Sequence, residues 1–353
     1  MKRQLRFGIL SAADIARKNW VSIFHSGNSI VTAVASRDVA RSRRFIKELQ
    51  AKARFVSAPV ALGSYEELLA SPDVDAVYIP LPTGLRKEWV LRAAAAGKHI
   101  ICEKPCGVNA ADVEEMSAAC RKNRVQFMDG VMFMHHPRMD RIGEALDDRK
   151  SLGRLKRITS SFSFRMAENV YDTNVRLNSR LEPAGCLGDL GWYCIRFALW
   201  AMKWKLPRAV TGHILSARGS NRSLSPVPTD FSAELIFDDD TSMSFYCSFM
   251  AGYQNWVHVS GENGQLRVAD FVHPVNDLES TFEVNGRVAR AKSGGGKRAK
   301  AGAVAQQTNM IRNFTNQVLS GKLNQEWPMW ALQTQKVTDA CLESARSGAP
   351  VKL

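Results

Sequence analysis

His99-Ile100-Ile101-Cys102-Glu103-Lys104-Pro105 is the stretch whose reading settles the architecture. Its first four residues are a short apolar run of the kind found in strands buried on both faces of a parallel sheet. The next three are a charged turn whose proline fixes the local backbone. In open α/β sheets ligands gather at the carboxyl ends of the strands, so a lysine in this place is a candidate catalytic group. Standing alone, the tripeptide reads as a surface lysine in an ordinary strand-to-helix turn. Its surroundings decide between the two.

Upstream, strand and helix signals alternate. Leu5 to Leu10 is expected as a strand and Asp14 to Ile23 as a helix ending before Gly27. Ile30 to Ala35 is β-branched and strand-like, and a charged helix follows from Val39 to about Lys52. Ser64-Tyr65-Glu66-Glu67 is a capping box that opens another helix. Val74 to Ile79 reads as a strand, Leu85 to Ala96 as a helix stopped by Gly97, and Asn109 as the cap of a helix running to Asn123. This spacing implies right-handed crossovers and a doubly wound parallel sheet, an α/β Rossmann domain expected over 1–127.

Beyond Met134 the pattern changes. A helix near Arg138 to Arg149 leads into a strand from Leu155 to Phe164, then an irregular polar stretch from Arg165 to Pro183 and a helix over Leu187 to Met202. Asp238-Asp239-Asp240 and Glu262-Asn263 are hairpin signals between strands. Two further helices are expected near Gln306 to Leu319 and Met329 to Ser347. The second domain, 128–353, is therefore expected to be α+β.

At 353 residues, with 45% hydrophobic and 23% charged residues, the chain suits two globular domains. No run reads as a signal peptide or membrane span. Seven cysteines without a Cys-x-x-Cys pair argue against a disulfide scaffold and a zinc ribbon, and a reducing cytoplasm is the expected compartment. The net charge of +14 is spread along the chain apart from a cluster between Arg287 and Lys300, which lacks interleaved aromatics; no nucleic-acid partner is expected. An affinity for phosphorylated cofactors or anionic substrates is the milder explanation. Gly294-Gly295-Gly296-Lys297 lacks the earlier glycine and the Ser or Thr of a phosphate loop and reads as a basic surface loop.

The first strand–helix turn should meet a dinucleotide pyrophosphate. Its G-x-G-x-x-G slots hold Ser11, Ala13 and Ala16, a glycine-poor version in which serine can still turn and add a hydroxyl. The second strand ends in Ala35-Ser36-Arg37. An NAD-selective site usually places Asp or Glu there, whereas Ser36 and Arg37 offer a hydroxyl and a forked cation to a 2′-phosphate, favouring NADP with NAD possible. Asp38 either accepts the ribose hydroxyls or merely caps the next helix.

Asp189 and Tyr193 lie four residues apart in a predicted helix, on one face, with Gly185, Gly188 and Gly191 allowing close approach of backbone or ligand. Equally, Asp189 could cap the helix and Tyr193 fill the core. His135-His136 has no carboxylate or cysteine at ligand spacing, so no metal is expected. The Trp and Phe residues between Trp192 and Trp204 recur at helical spacing and read as core.

Several segments together resemble the Gfo/Idh/MocA oxidoreductases, in the branch of glucose–fructose oxidoreductase, dihydrodiol dehydrogenase and NADP-dependent xylose dehydrogenase. They are Gly8-Ile9-Leu10-Ser11-Ala12-Ala13-Asp14-Ile15-Ala16, Tyr78-Ile79-Pro80-Leu81-Pro82-Thr83, Gly97-Lys98-His99, Glu103-Lys104-Pro105, Met128-Asp129-Gly130 and Gly188-Asp189-Leu190-Gly191-Trp192-Tyr193. The resemblance implies a Rossmann domain followed by a large, mostly antiparallel open sheet, often used to form homodimers or homotetramers. It implies cofactor contacts from Ser11, Ala13, Asp14, Ile15, Ser36, Arg37, Pro80, Leu81, Thr83, Glu103 and Lys104, and a cis bond between Lys104 and Pro105. It implies that Lys104 meets Asp189 and Tyr193 at the nicotinamide. Tyr193 is then the acid–base, Lys104 its electrostatic partner and Asp189 the group that orients substrate hydroxyls, with Arg176 as a further substrate contact. Arg86 departs from the branch, which often has histidine there. The activity implied is hydride transfer between a nicotinamide and a sugar, polyol or similar carbohydrate. An NAD-dependent glycosidase working by transient oxidation and a non-catalytic cofactor-binding regulator are the alternatives.

Overall fold

The computed structural model describes residues 3–275, 279–292 and 305–353. The chain divides into two compact units, one made of residues 1–106, 111–136 and 295–329, the other of 107–110, 137–294 and 330–353.

The first unit is the expected parallel sheet. Its strands are β1 (Leu5–Leu10), β2 (Ser29–Ala35), β3 (Val60–Leu62), β4 (Ala76–Ile79), β5 (His99–Cys102) and β6 (Phe127–Asp129). Between them run α1 (Asp14–Ser26), α2 (Val39–Lys52), α3 (Tyr65–Ala70), α4 (Thr83–Ala95) and α5 (Ala110–Lys122). The spatial order is β3-β2-β1-β4-β5-β6, with every pairing parallel. Chain direction across the sheet therefore reverses between β1 and β4, the crevice in which doubly wound folds bind nucleotides. Every residue of β4 is buried, which is why these strands appear in the sequence as unbroken apolar runs. Ser64 caps α3 as the capping box requires, its hydroxyl accepting from Glu67 N–H at 3.1 Å.

The second unit holds α6 (Arg138–Asp147), β7 (Leu155–Ser163), a π-helical turn at Leu187–Gly191 and α7 (Trp192–Ala201). There follow β8 (Ala209–Arg218), β9 (Val227–Ile236), β10 (Ser242–Ser248), β11 (Gln254–Gly261), β12 (Gln265–Val268), β13 (Glu279–Val284) and β14 (Arg287–Lys292). With the late strand β15 (Val351–Lys352) they form a nine-stranded sheet ordered β14-β13-β12-β11-β7-β10-β9-β8-β15. Only β7 and β10 pair in parallel; the other pairs are antiparallel. Along β9, Phe231, Ala233 and Leu235 are buried while Asp230, Ser232 and Glu234 are half-buried, the alternation of a sheet with one packed face. Both hairpin signals sit where they were expected, and Asp240 closes the first with φ +57°.

The helices α8 (Ala305–Leu319) and α9 (Glu326–Ser347) complete the chain. Chain order puts both beyond the expected 127/128 boundary, yet α8 belongs to the first unit. It packs on α1 and on β1, with the Phe314 and Phe7 rings 6.0 Å apart and Arg312 Nε donating to the Ser26 carbonyl at 3.1 Å. Of the basic segment, Arg287 to Lys292 is β14, while residues 293–302 with the glycine triplet lie outside the described residues.

Candidate active site

At the first turn of the parallel sheet, Ser11 N–H donates to the Ala35 carbonyl at 2.9 Å and the residue takes φ +119°. Few residues but glycine adopt that conformation. Ala13 precedes α1 without any side-chain cap, so the first amides of that helix are open to an anion. Exposed Asp14 pairs with Arg17 at 3.3 Å, and Ile15 stands partly exposed beside it.

At the end of β2, Ser36 is buried. Its hydroxyl donates to the Asp38 carbonyl at 2.6 Å and lies 3.0 Å from Ser42 Oγ, so its hydrogen is spent inside the protein. Asp38 Oδ1 accepts from Ala40 N–H at 2.8 Å and caps α2. Arg37, Arg41 and Arg44 are exposed, and with Ser11, Ser36, Asp38 and Tyr65 they line a cleft of about 320 Å³. Among the described residues none of these three arginines has an ion-pair partner.

The turns after β4 and β5 are joined by a buried arginine. Arg86 Nε donates to the Leu81 carbonyl at 2.7 Å, and Nη1 donates to Thr83 Oγ1 at 3.0 Å and to the Pro105 carbonyl. Pro80, Leu81 and Thr83 are all buried. The Lys104–Pro105 peptide is cis, as the resemblance implied. Glu103 turns inward: burial raises its pKa above the ordinary value, opposed by the Tyr78 hydroxyl donating to it and by the Arg86 charge.

In the second unit the polar stretch after β7 is pinned to the β8–β9 connection. Ser220 N–H donates to the Leu177 carbonyl at 2.8 Å, and Asn178 Nδ2 to the Arg222 carbonyl at 3.1 Å. Asn174 Oδ1 caps the short turn that carries Arg176, accepting its N–H at 3.0 Å. Arg176 Nε reaches Asp189 Oδ2 at 2.7 Å. The Asp189 charge is the leading cause of Arg176's raised pKa, and Tyr193 contributes in the same direction. Tyr193 is buried edge-on against Phe162, ring centroids 5.5 Å apart.

Two family models match: an oxidoreductase family with an NAD-binding Rossmann fold over residues 5–131, and a Gfo/Idh/MocA C-terminal domain over 142–267. The chain is 29% identical to D-xylose 1-dehydrogenase (NADP(+)) 2 of Haloferax volcanii, covering 99% of this chain and 100% of that one. It is 33% identical to trans-1,2-dihydrobenzene-1,2-diol dehydrogenase of Sus scrofa, covering 75% and 74%. A solved structure of a 3-ketoreductase from Actinomadura kijaniata, in complex with NADP and TDP-benzene, superposes with TM-score 0.80 at 27% identity over 98% of both chains.

The chain belongs to the Gfo/Idh/MocA oxidoreductase family.

As a Gfo/Idh/MocA protein it is an NAD(P)-dependent oxidoreductase, and its first unit fits the cofactor. The uncapped α1 end suits a pyrophosphate, and the arginine-lined cleft suits a further anionic group. Several sequence readings need amending. Ser36 does not offer its proton outward, because the Asp38 carbonyl takes it. Asp38 is the helix cap. Gly185 and Gly191 serve the fold: a β-carbon at Gly185 would lie 2.1 Å from the Pro228 carbonyl oxygen, and one at Gly191 3.2 Å from Cys247 Sγ. The helix expected from Leu187 begins as a π-turn, with Trp192 N–H bonded to the Leu187 carbonyl. Such turns recur at functional sites. His135 lies beside Asn313 at 3.2 Å, and among the described residues no group of three or more His, Cys, Asp or Glu could hold a metal. Trp192 and Phe197 are core, as read. Arg41 and Arg44, three residues apart on one face of α2, are not marked out by the dinucleotide motif and come to the cleft only through the fold.

Proposed function

We propose that this chain is an NADP-dependent dehydrogenase of a sugar or related polyol, in which Tyr193 moves the proton. The observation that carries the reading is the Arg176–Asp189 pair at 2.7 Å within the electrostatic reach of Tyr193. When bound, NADP supplies the hydride acceptor for oxidation of a carbinol carbon. The chain's own task is the proton on the substrate oxygen. A tyrosine whose ordinary pKa is about 10 needs cations beside it to accept that proton near neutrality. Arg176 is one such cation, and the family resemblance assigns the second role to Lys104, which follows the buried Glu103. The Arg176–Asp189 pair meets substrate hydroxyls as a unit, the carboxylate accepting and the guanidinium donating.

The cofactor is read as NADP because Arg37, Arg41 and Arg44 surround one cleft and have no acidic ion-pair partner among the described residues. Ser11, Ala13, Asp14 and Ile15 line the pyrophosphate turn, and Pro80, Leu81, Thr83, Glu103 and Lys104 form the nicotinamide end. The substrate is a small carbohydrate. The half-buried polar face of the nine-stranded sheet joins copies of the chain into a homodimer or homotetramer. The protein works in the cytoplasm, in keeping with seven cysteines that are all free and buried. Among the described residues no helix is long and apolar enough to cross a membrane.

The test is Tyr193→Phe assayed against a panel of aldoses with NADP⁺. Turnover should fall by about 10² or more with NADP⁺ binding kept, as expected for loss of a general acid–base. Wild-type turnover in that variant overturns the assignment. Net NADPH production by the wild type separates this reading from a glycosidase that returns its hydride.

A further inference from the structure

Tyr78 is a polar side chain in the interior of the first sheet. It lies in β4 with 0% exposure. Its hydroxyl accepts from Asn19 Nδ2 of α1 at 2.7 Å and donates to Glu103 Oε1 at 2.7 Å. The second oxygen of that carboxylate accepts from the backbone N–H of Lys104 at 3.3 Å. A β-carbon at Gly130, just past β6, would sit 3.0 Å from Glu103 Oε1, so glycine there leaves room for the carboxylate. The ends of three neighbouring strands, β4, β5 and β6, thus converge on one buried carboxyl group.

A buried carboxylate is costly unless it is fully hydrogen-bonded, and a buried tyrosine hydroxyl needs a partner. Here each satisfies the other, and the remaining carboxylate oxygen fixes the amide of the residue that follows. We propose that Tyr78 is a positioning residue for Lys104: its hydroxyl holds Glu103, and Glu103 holds the Lys104 amide from which the lysine side chain departs. The proposal rests on the reading that Lys104 serves the reaction. It adds the device that keeps it still, a hydrogen-bond chain running from α1 through β4 to the cis turn. Asn19, at the head of the chain, orients the Tyr78 hydroxyl by donating to it, which leaves the phenol proton for Glu103.

The test reads Lys104 directly, in the full-length protein without added cofactor. Competitive acetylation with acetic anhydride, followed by mass spectrometry, gives the rate at Lys104 relative to that at Lys87. Tyr78→Phe should change this ratio by about threefold or more, Glu103→Gln should do the same, and the double variant should show no more than the larger single effect, as for residues in one chain. An unchanged ratio in Tyr78→Phe, or effects that multiply in the double variant, overturns the proposal. If Tyr78→Phe does not fold, Asn19→Ala keeps the phenol, removes the donor to its hydroxyl together with a longer bond to the Ile15 carbonyl, and should shift the ratio by about twofold; no shift there overturns it equally. Turnover of Lys104→Ala on the best aldose is measured separately. Wild-type turnover in that variant refutes the catalytic reading of Lys104, and the labelling still reports whether Tyr78 governs it.

Discussion

Two turns at the carboxyl edge of the same parallel sheet are built on opposite plans. After β1, Ser11 sits at φ +119°, α1 starts without a side-chain cap, and three arginines stand beyond it without ion-pair partners among the described residues. After β5, the turn is saturated: Glu103 is bonded by Tyr78 and by the Lys104 amide, and Arg86 ties the Pro105 carbonyl to Leu81 and Thr83. Groups left to solvent gain their partners when an anion arrives, so the first turn is suited to binding. Groups satisfied in advance do not move when it arrives, so the second is suited to holding a reacting side chain in place. Affinity and positioning are thus assigned to different turns of one sheet.

The saturated turn breaks most severely at Arg86. Replacing it with alanine leaves the Leu81 and Pro105 carbonyls without that donor and removes the cation facing buried Glu103. A loss of about 3 kcal/mol or more is expected from unsatisfied buried groups. The loss should also depend on pH. Burial already holds Glu103 above its ordinary pKa near 4.5, and Arg86 pulls it back. Without Arg86 the folded-state value rises further. A carboxyl group with a raised folded pKa binds a proton that the unfolded chain has released, so its stability contribution is full below the ordinary value and drains away as pH climbs through the folded one. Urea unfolding should therefore show a larger deficit for Arg86→Ala at about pH 8 than at about pH 5. Equal deficits would mean that Arg86 acts on the loops alone, without electrostatic coupling to Glu103.

The open turn should respond in affinity rather than stability. Arg37→Ala removes a charged donor from the cleft, worth about 1.5–3 kcal/mol against a phosphate, or roughly a factor of ten to a hundred in the dissociation constant. Fluorescence titration should show that loss for NADPH and almost none for NADH, with the thermal midpoint unchanged. Parallel losses for both nucleotides would place the 2′-phosphate elsewhere.

The contrast between the two turns also marks what could be read from the residues alone. β1, β2, β4 and β5 are visible because strands buried on both faces leave continuous apolar runs, and α3 because Ser64 and Glu67 form a local motif. Arg37 is visible because it occupies the position where a ribose partner belongs. The rest is tertiary. Tyr78 reads as one more apolar strand residue, since nothing nearby in sequence shows that its hydroxyl meets Asn19 and Glu103. Arg86 stands out in the sequence only as a departure from the branch's histidine, and nothing near it shows that it is buried with two turns bonded to it. Asp189 and Arg176 are 13 residues apart, and they meet where the polar stretch is also bonded to the β8–β9 connection, a contact distant in sequence. Asn174 hints at a local turn but not at its target. The π-turn before Tyr193 has no sequence signature, because an i→i−5 bond is favoured by the packing around it. The placement of α8 beside α1 is hidden for the same reason: its apolar face is evident, its partner is not.

The smallest expected effect is a gain. Ser11 occupies the slot in which dinucleotide folds place their first glycine, and it holds a positive φ that costs a residue with a β-carbon about 1–3 kcal/mol. Glycine would remove that strain but lose more conformational entropy on folding, about 0.5–1 kcal/mol. Ser11→Gly should thus stabilise the protein by about 1 kcal/mol, a difference within reach of chemical denaturation. The nucleotide measurement is the more informative one. If the serine hydroxyl is only tolerated, NADPH affinity should stay level or rise, because the turn keeps its Ala35 bond and becomes easier to form. If the hydroxyl donates to a phosphate, stability should rise while affinity falls by about the worth of one charge-assisted hydrogen bond. Opposite signs in the two measurements would show that the strain at this turn is retained for binding, and that the open plan of the first turn includes a donor the saturated turn has no need of.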